Sequence, residues 1–282
     1  MSAEGEAIAR FVDALDDYAE AARTARRDRT LAPHERKVER QLGVFWRAQK
    51  RETVARLRRY RRRFPEADLA EAVTDDEFDR AWAQIARLTA KRLVPVLDKA
   101  TRQALDAGIA HALAEVGIEV DFDLKNPRAV RWLKDHAAQM VARIDDTTRA
   151  GLRDLLTQAG DEGWSWQRTA REIEDRFDGF SKKAAQAHLR TRAELVATSE
   201  MADAHGAGND LVRQHLAALG LDVRKTWHTS LGQRVCPICD GNASVGEIAQ
   251  GESFPGGVDR EPQHPACRCV VTTRVVVQDE ET

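Results

Sequence analysis

A chain of 282 residues is long enough for about two domains of 100–200 residues each. Hydrophobic residues make up 42% and charged ones 32%, a balance that suits a helix-rich protein in water, and no apolar run approaches the roughly 18 residues a membrane span needs. The acidic start, Met1 to Glu6, lacks the apolar segment of a secretory signal, and Lys plus Arg 44 against Asp plus Glu 46 calls for no polyanionic partner by sum alone. The distribution of charge along the chain says more.

Residues 5–30 read as a helix with Ile8, Phe11, Val12, Leu15 and Tyr18 on one face, broken at Ala32-Pro33-His34. Glu35 to Phe64 follows with Val38, Leu42, Phe45, Thr53, Leu57, Tyr60 and Phe64 at helical spacing and Gln49 inside the stripe. Its end is dense in cations: Arg56, Arg58, Arg59, Arg61, Arg62 and Arg63. Three uses are open for them. They form a solvated helix end in a favourable dipole, a phosphate-binding stripe, or a surface for an acidic protein partner. Thr74 and Glu77 have capping-box spacing before Phe78, Trp82, Ile85 and Leu88, and Pro95 is expected to end or kink that helix. The next helix runs through Leu97, Leu105, Ile109 and Leu113 to Gly117. Ile118 to Phe122 alternates as a short extended piece, and Asn126-Pro127 marks a boundary.

From Pro127, a good first helical residue, Val130, Leu133, Met140, Val141 and Ile144 form one helix, and Asp146-Thr147 reads as the start of another. Ser165 caps Trp166 to Phe177, with Asp178-Gly179 as its stop. Ser181 opens the longest run, through Ala187, Leu195, Val196 and Met201, with Gly206 and Gly208 weakening its middle and Gly220 at its C-terminus. Val223 to Trp227 and Val270 to Val277 are the strand candidates.

All four cysteines lie between these strands, in Cys236-Pro237-Ile238-Cys239 and His264-Pro265-Ala266-Cys267-Arg268-Cys269. Two thiolates three residues apart reach one tetrahedral Zn²⁺ from a single turn, and a second pair from a distant turn completes four ligands. Disulfides fit less well, since Cys267 and Cys269 are too close in sequence to pair comfortably and nothing marks a secreted protein. A redox Cys-x-x-Cys expects a βαβ setting that is missing. Five candidates thus compete for four places: Cys236, Cys239, His264, Cys267 and Cys269. Spacing leaves open Cys₃His with one idle thiol and Cys₄ with His264 beside the site. No His-Glu-x-x-His and no carboxylate pair accompanies them, so a closed structural zinc is expected rather than a catalytic one.

The expected fold is mainly α. Residues 1–120 form an extended helical docking region, and 121–277 a helical domain ending in a small β zinc-knuckle module at 227–277, followed by an acidic tail at 278–282.

From Asn126 to Val277 the order of pieces resembles the phage Mu F-like head morphogenesis (minor head) family. The resemblance rests on Trp132-Leu133, Gly163-Trp164-Ser165-Trp166 with Ile173 and Phe177, and Arg192-Ala193-Glu194-Leu195. It continues in Thr198-Ser199-Glu200, Lys225-Thr226-Trp227, Arg234 to Cys239, and His264 to Cys269. Where such proteins often show Arg-Thr-Glu, this chain has Thr198-Ser199-Glu200. The resemblance implies a non-enzymatic, low-copy virion protein of a tailed bacteriophage, assembled in the host cytoplasm and housed in the head near the portal. It implies the portal protein as partner, with the major capsid or scaffold protein and double-stranded DNA without sequence preference as further candidates, and no membrane. Two other classes compete: a zinc-finger DNA-binding regulator reading through Arg56 to Arg63, and a metal-dependent nuclease built on His264. The regulator lacks a groove-reading helix after a knuckle, and the nuclease lacks a nearby acidic metal site.

Overall fold

The computed structural model describes residues 3–63, 74–117, 119–182, 192–229 and 235–276. It is mainly helical, with a small antiparallel sheet near the C-terminus. The helices are α1 (Ala3–Arg63), α2 (Asp75–Val116), α3 (Pro127–Asp161), α4 (Trp166–Lys182), α5 (Arg192–Ala218) and the short α6 (Pro237–Ser244). The strands are β1 (Asp222–His228), β2 (Glu247–Ala249) and β3 (Val270–Val276). The chain divides into two compact units. Unit 1 comprises residues 1–35, 101–132 and 198–282, and unit 2 comprises 36–100 and 133–197.

Helix starts follow local chemistry. Thr74 and Glu77 form the expected reciprocal cap: the Glu77 amide donates to Thr74 Oγ1 and the Thr74 amide to Glu77 Oε2. Asn126 Oδ1 accepts from the Arg128 amide and Ser165 Oγ from the Arg168 amide, each satisfying a donor that the first helical turn leaves free. Gly117 and Gly220 end α2 and α5 at φ +66° and +85°.

Expected breaks fail where burial on both sides outweighs the local signal. α1 runs through Pro33, because Thr24, Arg27 and Leu31 before it and Val38, Leu42 and Phe45 after it keep one buried register. An interior proline costs about 3 kcal/mol, and each fully buried Leu returns about 1.5–3 kcal/mol. α2 likewise passes Pro95, between buried Leu93 and Leu97. Asp146-Thr147 starts nothing: α3 continues, with the hydroxyls of Thr147 and Thr148 donating to the carbonyls of Arg143 and Ile144 four residues back. Asp178-Gly179 does not stop α4, which continues to Lys182, and Asp178 is engaged by Lys50 Nζ at 2.9 Å. Ser181 therefore belongs to α4, not to the start of α5. Residues 119–122 form no strand: among the described residues no strand pairs with them, and Phe122 is buried, its ring 5.2 Å from that of His215. Phe64, Ile118, Ala187, Arg234 and Val277 lie outside the described residues.

In unit 2 the narrow stripe of α1 is buried within the chain: Val38, Leu42, Phe45, Trp46, Val54 and Leu57. Gln49, fully buried in that stripe, donates to Asp145 Oδ1 at 2.7 Å. Burial raises the Asp145 pKa to about 6, against this hydrogen bond. On the surface of the unit Asp79 accepts from Arg149 and Arg153.

In unit 1 α5 runs unbroken past its glycines. They allow backbone to touch backbone. A Cβ on Gly208 would collide with the Leu105 carbonyl and one on Gly206 with the Glu261 carbonyl. On α2, one on Gly108 would strike the His205 carbonyl. The sheet has the order β2-β1-β3, both pairings antiparallel, with Trp227 opposite Val271. Alternation along β1 turns Val223, Lys225 and Trp227 inward.

Candidate metal centre

α6 begins at Cys236, whose extended backbone (φ −77°, ψ 151°) makes it the N-cap, with Pro237 at the first helical position. Its sulfur accepts from the Cys239 amide at 3.3 Å, so the helix end presents two sulfurs to one side, Cys239 buried and Cys236 half-buried. The second knuckle turns at His264, whose carbonyl accepts from the Cys267 amide at 3.1 Å. Ala266 sits at φ +59°, an uncommon conformation for a residue with a Cβ, and its amide is fixed by Ser199 Oγ at 2.9 Å. Cys267 and Cys269 are buried just before β3. Ser199, one residue into the sequence departure noted above, thus serves the knuckle's backbone.

The structure gathers all five candidates around Cys239. Cys236, Cys239 and His264 place one ligand atom each within 4.8 Å of one another, and so do Cys239, Cys267 and Cys269. Cys239 Sγ lies 3.4 Å from His264 Nε2 and 3.9 Å from Cys267 Sγ. Zn–S bonds of about 2.3 Å at tetrahedral angles separate two sulfurs by roughly 3.8 Å, so this spacing fits a common ion. His264 Nδ1 faces the Pro265 carbonyl at 2.9 Å. A proton held there leaves the Nε2 lone pair towards Cys239, the tautomer that ligation needs. Among the described residues no other group of three or more Cys, His, Asp or Glu gathers this closely. All four cysteines are free thiols.

The electrostatics point the same way. Hydrogen bonds from Cys239 and Cys269 hold the Cys267 thiol well below its ordinary range, while the same contacts with Cys267 and Cys269 push Cys239 up. Burial opposes ionisation of Cys236, yet the Cys239 amide lowers its pKa. Crowded thiols that cannot all ionise together are satisfied when a divalent ion displaces their protons. Around them Trp227, Phe254 and Val271 form the apolar wall, the two rings meeting edge to face at 5.2 Å.

The six arginines at the end of α1 are placed differently, within unit 2. Arg56 is half-buried and donates to Gln84 Oε1 at 2.9 Å, and the other five are exposed. Arg61 lies over the Trp166 ring at 5.9 Å. Arg58, Arg61 and Arg62 line a surface groove with Leu57, Trp166 and Arg171. The contribution of α4 to this groove was not read from the sequence, because nothing local links two helix faces about a hundred residues apart.

Sequence reasoning also passed over a polar cluster in unit 1: half-buried His111 and Glu115 of α2 with buried His205, Asn209 and Arg213 of α5 and buried Glu261. The spacing 205, 209, 213 is a helical stripe and was the available signal. His205 Nδ1 lies 3.8 Å from Glu261 Oε1. Burial and the neighbouring His205 lower the His111 pKa to about 4. Burial raises that of Glu115 to about 7, although its Oε2 accepts from the Thr273 amide at 2.9 Å. A carboxyl raised from 4.5 to about 7 binds its proton more tightly folded than unfolded, so stability falls as pH rises through this window. Glu115→Gln, which keeps the acceptor and removes the charge, is therefore expected to match the wild type near pH 4 and exceed its melting temperature at pH 8. Melting curves at the two pH values check this, and an equal difference at both would contradict it.

The site defines the class: a mainly helical protein whose C-terminal module gathers a knuckle-like Cys/His cluster that could hold a metal ion. Residues 150–272, which contain every candidate ligand, match the family model described as Phage Mu protein F like protein, in agreement with the resemblance read from the sequence. No curated protein and no solved structure matches the chain. Among the described residues no helix is long and apolar enough to cross a membrane.

Proposed function

We propose that this chain is a structural head morphogenesis protein of a tailed phage, located in the virion, whose C-terminal module is ordered by one Zn²⁺. The observation that carries the reading is a coincidence of position. The Mu F-like match at 150–272 encloses the cluster at Cys236, Cys239, His264, Cys267 and Cys269. The cluster contains thiols and an imidazole and no carboxylate, and apolar side chains enclose it, which supports a structural ion over a hydrolytic one. The reading assigns the chain no catalysis.

The partner in this reading is the portal protein, met by the helical segment before residue 120 and in particular by Arg58, Arg59, Arg61, Arg62 and Arg63. Guanidinium groups keep their charge at any cellular pH and pair with carboxylates or phosphates in two-point geometry. The near-neutral chain as a whole favours an acidic protein surface over DNA as their target. The experiment is co-expression of the full chain with the portal protein of the same phage. Co-purification is expected, and Arg58→Ala, Arg61→Ala and Arg62→Ala together should abolish most of it. Undiminished capture of the triple variant would contradict the arginine role. Salt-sensitive binding of the purified wild type to duplex DNA, with a salt slope lowered by up to about three in the triple variant, would assign the arginines to DNA instead.

A further inference from the structure

Arg27 of α1 is 2% exposed, so its guanidinium is almost wholly removed from water. Nη1 donates to the Cys269 carbonyl at 2.9 Å and Nη2 to the Cys267 carbonyl at 3.4 Å, while Nε has no acceptor. Among the described residues no carboxylate lies within ion-pair distance of it, and Glu261 acts on it only through space. A buried guanidinium with no carboxylate in direct contact is costly, and a distant one compensates it only in part. Two carbonyl dipoles do not cancel a full charge. The residues that carry those carbonyls are two of the candidate metal ligands. A divalent ion held by three or four thiolates has a net negative charge, so such a centre at this place would set a nearby anion against Arg27 in addition to Glu261, which acts on it only through space.

The residue between the two cysteines reinforces the same joint. Arg268 Nη1 pairs with Glu35 Oε1 at 2.9 Å and with Asp28 Oδ1 at 3.2 Å. Both acids belong to α1, on either side of fully buried Leu31. The stretch 24–35 of α1 thus meets the second knuckle through a buried cation reading its carbonyls and two carboxylates gripping its arginine. All of these groups lie within unit 1.

We propose that Arg27 is a positioning residue and counter-cation of the metal–thiolate centre, and that metal occupancy and the docking of α1 residues 24–35 are one coupled event. The inference rests on the metal reading of the five ligands. It extends that reading by making a helix more than two hundred residues away in sequence part of the centre. Because coupling is reciprocal, whatever weakens the helix contact weakens the metal, and removing the metal frees the helix.

Two measurements on the full chain test it. The first is Co²⁺ and Zn²⁺ affinity, by competition with a chromophoric chelator, for the wild type, Arg27→Met and Arg27→Lys. Arg27→Met is expected to bind about ten- to a hundredfold more weakly, as loss of outer partners of metal ligands does, with Arg27→Lys recovering most of the loss. Wild-type affinity in Arg27→Met, or a lysine variant as weak as the methionine one, overturns the counter-cation role. The second is hydrogen exchange of the unsubstituted protein with and without chelator. Protection of residues 24–35 is expected to drop on metal removal, and unchanged protection overturns the coupling even if Arg27→Met fails to fold. A wild type that binds neither ion overturns the metal reading and this inference with it.

Discussion

Cys239→Ser is expected to strip the chain of its metal and to unfold the segment from Trp227 to Val276. Cys239 is the candidate ligand shared by both close groups, and its buried sulfur stands between His264 and Cys267. No neighbour can move into its place, because α6 fixes the backbone that carries it. A structural Zn²⁺ contributes on the order of 10 kcal/mol to the order of the segment that binds it, more than the apolar wall of Trp227, Phe254 and Val271 supplies alone. Cys236→Ser should act in the same direction through the N-cap. One of His264, Cys267 and Cys269 should prove dispensable, since five donors compete for four places. Metal content, with near-ultraviolet circular dichroism of the chain's six tryptophans, reads all five single variants. Metal retained by every one of them would show that the site is misread.

The second large effect is expected from Gly208→Ala, and its sign is the reverse of the usual one. In an exposed helix interior, replacing Gly by Ala stabilises by roughly 1 kcal/mol. At Gly208 the new methyl would strike the Leu105 carbonyl and crowd the Ile109 amide and Gly108 Cα, all backbone atoms that no rotamer change can move. Separating α2 from α5 would then loosen the buried cluster of His205, Arg213 and Glu261. A loss of about 1–3 kcal/mol or more is expected, the range of overpacked cores. Gly151→Ala in α3 is the internal control: nothing lies within 4 Å of a Cβ there, so a gain is expected. Urea unfolding of the two variants compares them, and a Gly208→Ala protein as stable as the Gly151→Ala one would contradict the close helix crossing.

The contrast between these glycines shows what the sequence could convey. A glycine inside a helical pattern signals either weakness or close approach, and only the partner, Leu105 a hundred residues earlier, decides which. Caps were legible because both halves of the interaction lie within three residues: Thr74 with Glu77, Ser165 with the Arg168 amide, Asn126 with the Arg128 amide. Strands β1 and β3 were legible from alternation and β-branched residues, whereas the three-residue β2 and the α6 helix after Cys236 were too short for any period to register. Breaks were over-read at Pro33, Pro95, Asp146 and Asp178: burial on both sides carries the helix past the two prolines, and α3 and α4 run on past the two acids. The five candidate ligands were legible as a set because two short Cys/His motifs at knuckle spacing fit one tetrahedral ion, and the structure brings them together. Arg27 was not, since an arginine in the middle of a charged helix looks like any other until its two acceptors, Cys267 and Cys269, are seen.

The central claim is that the C-terminal module of this chain is closed by a metal ion. Elemental analysis of the full chain, freshly purified under reducing conditions without added metal, tests it most directly. About one zinc per chain is the expected result, and a folded protein with native tryptophan signals but no bound metal would contradict the account.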